Sequence, residues 1–104
     1  MSVPIAADVF RAHIGLGPIP KAVLIKLAFA ASEDGEAWPS VEFLASQCEI
    51  TRRTVQLTLR KLEAAEFITT IPGGGRKKFS RYQLNLDLIK GRISDAVSKT
   101  KGES

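Results

Sequence analysis

The sequence is poor in the residues that bind metals and form disulfides, with one cysteine and one histidine among its 104 residues. A single cysteine cannot form an internal disulfide, and Cys48 and His13 together fall short of a structural zinc site. No apolar run approaches the roughly 20 residues that cross a bilayer, and residues 1–10 lack the basic start and long apolar middle of a signal peptide. We therefore expect no metal, no cofactor, no membrane contact and a cytoplasmic location.

Groups suited to catalysis are also sparse. No histidine, cysteine or carboxylate lies in a pattern that pairs a nucleophile with a base. The stretch GGGRKK at residues 73–78 lacks the spacing and the Lys-Ser or Lys-Thr ending of a P-loop. These absences predict a protein that is not an enzyme and has no evident small-molecule ligand.

What is present is the composition of a small folded protein. Apolar residues make up 44% of the chain and charged residues 25%, close to the averages for globular proteins. The length suits one domain with a single hydrophobic core. We expect one folded domain rather than a disordered chain.

The two signs of charge are separated along the chain. Residues 32–50 contain five acidic residues and no lysine or arginine, whereas residues 51–81 contain eight basic and two acidic residues, a net charge of +6. Such clustering is typical of a surface that meets phosphates, although a solvated basic face has the same composition. The basic segment is the first candidate for contact with a nucleic acid.

Four segments have the apolar spacing of helices. They are Pro4 to His13, with Ile5, Val9 and Phe10 on one side; Lys21 to Ala31; Ser40 to Cys48; and Thr51 to Glu66. Ser40 and Thr51 are hydroxyl residues suited to cap the last two helices. In the last helix Val55, Leu59 and Leu62 are expected to face inward.

Strand signals lie on both sides of this helix pair. Ala37 and Trp38 predict a very short strand before Pro39, with Trp38 as a core anchor. Phe67 to Ile71 and Phe79 to Leu86 predict a hairpin. In the hairpin Tyr82, Leu84 and Leu86 are expected to face the core. Cys48 is expected to be a small buried residue.

The turn of the hairpin is rich in glycine and basic residues. Gly73 to Gly75 allow a backbone path without Cβ clashes, and Arg76, Lys77 and Lys78 follow directly. A tip of this kind is suited to lie along phosphates. When two short helices are joined by a tight turn, one commonly braces the other in the major groove. The outward residues predicted for the second helix are Arg52, Arg53, Thr54, Gln56 and Thr58.

The segment WPSVEFLASQCEITRRTVQLTLRKLEAAEFI resembles the helix-turn-helix segment of winged-helix proteins common in phage and plasmid replication and regulation. The resemblance covers roughly Pro20 to Leu86 and implies a mainly α fold with a small β-hairpin, a winged helix-turn-helix. One departure is Glu66, where the family usually has glycine. The expected parts are an N-terminal extension or short helix at 1–18, the winged domain at 19–86, a C-terminal helix at 87–97 and a flexible tail at 98–104.

The resemblance implies a sequence-specific binder of double-stranded DNA. A transcriptional regulator is preferred, because the chain has no room for a helicase-loading or catalytic domain. The alternatives are a replication-initiation or excision accessory factor of a mobile element, and a protein-interaction module on the same scaffold. The residues expected to contact DNA are Ser40, Thr51, Arg52, Arg53, Thr54, Gln56, Arg60, Arg76, Lys77, Lys78 and Arg81.

An apolar stripe near the C-terminus bears on assembly. Leu86, Ile89, Ile93 and Val97 follow three- and four-residue steps. The stripe, alone or with Ile5, Val9 and Phe10 of the first segment, either completes the core of the monomer or pairs two copies, the second being slightly favoured. A two-fold dimer places its recognition helices about 34 Å apart.

Overall fold

The computed structural model describes residues 3–71 and 81–93. Within these ranges it contains five helices and three short strands, and no helix there is long and apolar enough to cross a membrane. In chain order they are α1 (Val3–Arg11), α2 (Pro18–Ala30), β1 (Glu36–Ala37), α3 (Val41–Cys48), α4 (Arg52–Ala64), β2 (Ile68–Ile71), β3 (Arg81–Leu84) and α5 (86–93).

Helix α2 lies at the centre of the helical layer and packs against α1, α3, α4 and β1. It begins at Pro18, three residues earlier than predicted, because proline is well tolerated in a first helical turn. Helix α1 packs on it through Ile5, Ala6 and Val9. Phe10, predicted on the same side of this helix as Ile5 and Val9, is instead 68% exposed.

The pair α3 and α4 begins at the two predicted hydroxyl caps. The Ser40 Oγ accepts a hydrogen bond of 3.0 Å from the Phe43 amide, and the Thr51 Oγ1 accepts one of 3.1 Å from the Thr54 amide. Glu49 ends α3 in the left-handed conformation, with φ of 57°. Its backbone allows the chain to turn within three residues and start α4.

Helix α4 ends at Ala64, earlier than the predicted end at Glu66. Glu66 has a φ of 70° and lies in the turn that leads to β2. This is the position at which the family usually has glycine. The turn therefore forms without glycine, with a glutamate held in a conformation that L-residues adopt at a cost.

The strands form one antiparallel sheet in the order β1-β3-β2. Ala37 pairs with Tyr82, and Tyr82 pairs with Thr70 on its other side. Tyr82 and Leu84 are buried as predicted, whereas Leu86 is half-buried at the start of α5. Strand β1 begins and ends one residue earlier than predicted, which places Ala37 rather than Trp38 against the core.

Helix α5 is attached to the turn after α4 by Asn85. The Asn85 Oδ1 accepts a 3.2 Å hydrogen bond from the Leu88 amide and so caps the helix, while its Nδ2 donates to the Glu66 carbonyl at 3.0 Å. Ile89 and Ile93 are buried in the same core as α1 and α2.

The fate of the apolar stripe follows from this packing. Ile89 is 1% and Ile93 8% exposed in the single chain, so they complete the monomer core and are not free to pair two copies. The expected dimer surface through Leu86, Ile89 and Ile93 is therefore wrong, while Val97 lies outside the described residues.

Candidate nucleic-acid interface

Helix α4 has two opposite faces with the same residue spacing. The buried face consists of Val55, Thr58, Leu59 and Leu62. The exposed residues Arg53, Gln56, Leu57 and Arg60 form what we call the outer face of α4. The two sets are offset by two residues, which is about 200° around a helix of 3.6 residues per turn. The outer face therefore points directly away from the core.

The outer face is a shallow, basic surface. Its four side chains line a depression of about 190 Å³. Two guanidinium groups and an amide supply donors and acceptors of the kind that bind base edges and phosphates. This arrangement brings together Arg53, Gln56 and Arg60 of the predicted site.

Two residues of α4 were misjudged from the sequence. Thr58 was expected to point outward, but it is 4% exposed, because it lies three residues after Val55 and shares the buried face. Leu57 was missed and is 46% exposed. Leu57 lies four residues after Arg53, and this spacing is the signal in the sequence that places it on the outer face.

The predicted hydroxyl residues are occupied in holding the helix starts. Ser40 and Thr51 are exposed, but each hydroxyl caps its own helix. Thr54 is half-buried, and its Oγ1 lies 2.8 Å from the Thr51 Oγ1. These three residues set the position of the first turns of α3 and α4.

Two of the predicted basic residues already have carboxylate partners. An Arg52 guanidinium nitrogen lies 3.5 Å from the Glu42 carboxylate, and an Arg81 guanidinium nitrogen lies 3.8 Å from the Glu36 carboxylate. The Arg52–Glu42 pair is largely exposed and the Arg81–Glu36 pair is partly exposed, and such pairs are weak. A phosphate group therefore competes readily for either arginine.

The strands β2 and β3, which form the wing of the predicted fold, lie beside α4. A groove of about 310 Å³ separates the helix from the hairpin. Its lining consists of Val41, Gln56, Leu59, Arg60, Glu63, Thr70 and Tyr82. Strands β2 and β3 thus rise next to the edge of the outer face. Arg76, Lys77 and Lys78 lie outside the described residues.

Two titratable side chains near α3 and α4 have raised pKa values. Burial raises the pKa of the Tyr82 hydroxyl above its ordinary value, and the Glu63 carboxylate raises it further. Burial also raises the pKa of the Cys48 thiol, which Lys26 partly offsets. Cys48 is half-buried rather than fully buried as expected.

Trp38 is not the core anchor that the sequence suggested. Its side chain is 56% exposed. With Phe43, also exposed, it lines an open groove of about 420 Å³ at the start of α3. The shift of β1 by one residue explains the difference, because it turns Ala37 inward and Trp38 outward.

Comparison with known proteins agrees with this geometry. Residues 15–68 match the family model described as helix-turn-helix domain. The chain belongs to this helix-turn-helix family. The match runs from the loop before α2 through α4 to the first residue of β2, so it includes the whole outer face of α4.

Solved structures similar to this helix-turn-helix chain are distant in sequence. A zinc-responsive MarR family member, ZitR of Lactococcus lactis, has a TM-score of 0.56 and 18% identity, over 88% of this chain and 60% of its own. YusO of Bacillus subtilis has a TM-score of 0.58 and 16% identity, over 96% and 67% of the two chains. No curated protein matches the sequence.

A third structure, described as transcriptional regulator PA3341, has a TM-score of 0.56 and 20% identity, over 93% of this chain and 70% of its own. At these identities the likeness concerns the fold, and it confirms the winged helix-turn-helix prediction. The chain spans 60% of the length of the Lactococcus protein.

Within residues 3–71 and 81–93 no three histidine, cysteine, aspartate or glutamate side chains are grouped as metal ligands.

The family and the fold agree on the class of function. A helix-turn-helix domain is a DNA-binding module, and one of the three similar structures is described as a transcriptional regulator. The prediction of a DNA-binding winged helix-turn-helix protein is thereby confirmed.

Proposed function

We propose that this protein regulates transcription by binding specific sites in duplex DNA, with the outer face of α4 in the major groove. The observation that carries the proposal is the row of exposed donors on that face, directly opposite the buried face of the same helix. In the helix-turn-helix arrangement the second helix enters the groove while the first braces it. Here α3 braces α4.

Base recognition in this proposal comes from Arg53 and Gln56. Arginine pairs with two acceptors of guanine, and glutamine pairs with an acceptor and a donor of adenine. Each such contact contributes about 1–3 kcal/mol of discrimination against other bases. Arg60, one further turn along, extends the same row.

Phosphate contacts come from the two sides of the outer face. Arg52 lies at the start of α4, and Arg81 begins β3 in the wing. We expect the predicted wing residues Arg76, Lys77 and Lys78 to add backbone contacts. Ser40 and Thr51 serve by fixing the helix starts, where free amides attract phosphate oxygens.

Pairing of two copies remains part of the proposal, through α1 and α2 rather than through the C-terminal stripe. Val3, Phe10 and Phe29 are exposed along α1 and α2, and an apolar patch on a small protein is typical of an interaction surface. Sedimentation at micromolar concentration, with and without DNA, should show a dimer that Phe10→Glu dissociates. A monomer under both conditions would exclude it.

The central experiment measures duplex binding against salt. With about six phosphate contacts, log affinity should fall against log salt with a slope of about −0.9 per contact. Lys77→Ala should weaken binding and flatten the slope, whereas Arg53→Ala should weaken binding and relax the base preference. Arg11→Ala is the matched control, because it removes the same charge from the exposed end of α1.

Two results would contradict the proposal. One is binding that does not depend on salt. The other is equal loss of affinity in Arg53→Ala and Arg11→Ala. A stable protein partner together with no mobility shift on genomic fragments at low salt would favour the interaction-module alternative. A footprint within a promoter would support regulation over a role at an origin or attachment site.

A further inference from the structure

Leu57 is an aliphatic residue in the middle of an otherwise polar surface. Of the large apolar side chains that are exposed in residues 3–71 and 81–93, it is the one that lies on α4. A single exposed leucine is ordinary on a protein surface. What distinguishes Leu57 is its position, because it lines one depression together with Arg53, Gln56 and Arg60.

The position of Leu57 follows from helix geometry. It lies one turn after Arg53 and one turn before Arg60, and it is adjacent to Gln56 in sequence. Residues three and four apart are neighbours on a helix surface. Arg53 and Arg60 therefore form the midline of the outer face, and Leu57 and Gln56 lie on either side of it. All four side chains lie within about 100° of the helix circumference, so Leu57 faces the same major groove as the two arginines.

The chemistry of the floor of that groove restricts what Leu57 fits. The major-groove edges of the bases present hydrogen-bond donors and acceptors, with one large apolar group, the C5-methyl of thymine. Covering a polar base atom with an aliphatic side chain leaves that atom without a partner, which is unfavourable. Covering a methyl group removes apolar surface from water, which is favourable.

We propose that Leu57 determines sequence specificity by contacting the C5-methyl group of a thymine between the bases or phosphates bound by Arg53 and Arg60. This inference rests on the proposed function, since it requires α4 in the major groove. It adds a residue that reads DNA by apolar contact to a set that otherwise reads it by hydrogen bonds.

The test uses deoxyuridine, which lacks only the methyl group of thymine and keeps every hydrogen-bonding atom. Duplexes are first selected from a random-sequence library with the full chain. Each thymine of the selected site is then replaced singly by deoxyuridine. We expect about a fourfold loss of affinity at one or two positions, as burial of one methyl group predicts, and little change elsewhere.

Variants connect that loss to Leu57. Leu57→Ala should bind thymine and uracil duplexes equally at those positions, with an unchanged salt slope because no charge is removed. Leu57→Met should keep most of the preference, because it keeps an apolar side chain of similar size. Ile19→Ala is the matched control, since it truncates an exposed aliphatic residue at the start of α2 and should keep the full preference.

The outcomes separate this inference from the proposed function. Salt-dependent, sequence-specific binding with no effect of any thymine replacement would overturn the role of Leu57 alone. Retention of the thymine preference by Leu57→Ala would do the same. Absence of salt-dependent binding would overturn the proposed function and this inference with it.

Discussion

The Arg52 guanidinium lies 3.5 Å from the Glu42 carboxylate, so an ion pair joins the first turns of α3 and α4. This pair places a negative charge beside the surface proposed to meet phosphates. When DNA binds, the Arg52 guanidinium must either leave Glu42 for a phosphate or contact both groups at once.

We therefore expect Glu42→Gln to bind DNA more tightly than the unmodified chain. Exposed pairs of this kind contribute about 0.2–1 kcal/mol, which corresponds to an increase of up to about fivefold. Fluorescence anisotropy of a labelled duplex at low salt measures it. Glu33→Gln removes the same charge from the turn before β1 and is the control. Equal effects of the two variants would show that only net charge matters.

The left-handed residues Glu49 and Glu66 offer a test of backbone strain. Each has a positive φ without glycine, a conformation that costs an L-residue about 1–2 kcal/mol. Glycine avoids this cost but loses about 0.5–1 kcal/mol more through entropy on folding. On balance we expect Glu49→Gly and Glu66→Gly to raise the free energy of unfolding by about 0.5–1 kcal/mol each. Urea unfolding measures it. Glu63→Gly, within α4, should have the opposite sign.

Gly35 and Gly91 form a matched pair of glycines with opposite expectations. Gly35 has a φ of 87°, and a Cβ there would lie 3.1 Å from the Gln83 Nε2. Gly35→Ala should destabilise the fold by about 1–3 kcal/mol. Gly91 is helical, and a Cβ there would meet no atom within 4 Å. Gly91→Ala should stabilise by about 0.5–1 kcal/mol. Thermal unfolding of both variants distinguishes these signs.

Tyr82 gives a pH dependence that can be followed directly, because it is the only tyrosine in the sequence. Its pKa in the folded chain is raised, first by burial and then by Glu63. The protonated phenol therefore contributes stability that is complete below its ordinary pKa of about 10 and is lost as pH rises through the higher folded-state value.

Ultraviolet titration of tyrosinate should accordingly give a higher pKa in the folded chain than in urea. Tyr82→Phe should remove this component from the decline of stability at alkaline pH. Glu63→Gln should lower the pKa of Tyr82 in the folded chain only in part, because burial is the larger cause of the raised pKa. Identical titration curves with and without urea would contradict the described burial of Tyr82.

The parts of the fold that depend on neighbours in sequence were predictable. The caps at Ser40 and Thr51 require only a hydroxyl residue before an apolar repeat, and both form as expected. Val55 and Leu62 follow from helical spacing alone. Thr58 was misplaced because its polarity was given more weight than its spacing from Val55.

The parts that depend on distant pairing were not predictable. Trp38 turns outward because Ala37 pairs with Tyr82, a register set by a strand more than forty residues away. The stripe of Ile89 and Ile93 shows that a helix has an apolar face. Spacing does not say whether that face meets its own chain or a second copy, and the packing of α5 decides it.

Asn85 has a consequence for how the molecule moves. Its side-chain amide donates to the Glu66 carbonyl in the turn after α4 and accepts from the Leu88 amide at the start of α5, and its backbone amide donates to the Phe67 carbonyl. Asn85 thus links the turn after α4 to the start of α5. We expect a change in the tilt of α4 to move α5 with it, so that α5 helps to set the angle at which the proposed recognition helix meets a duplex.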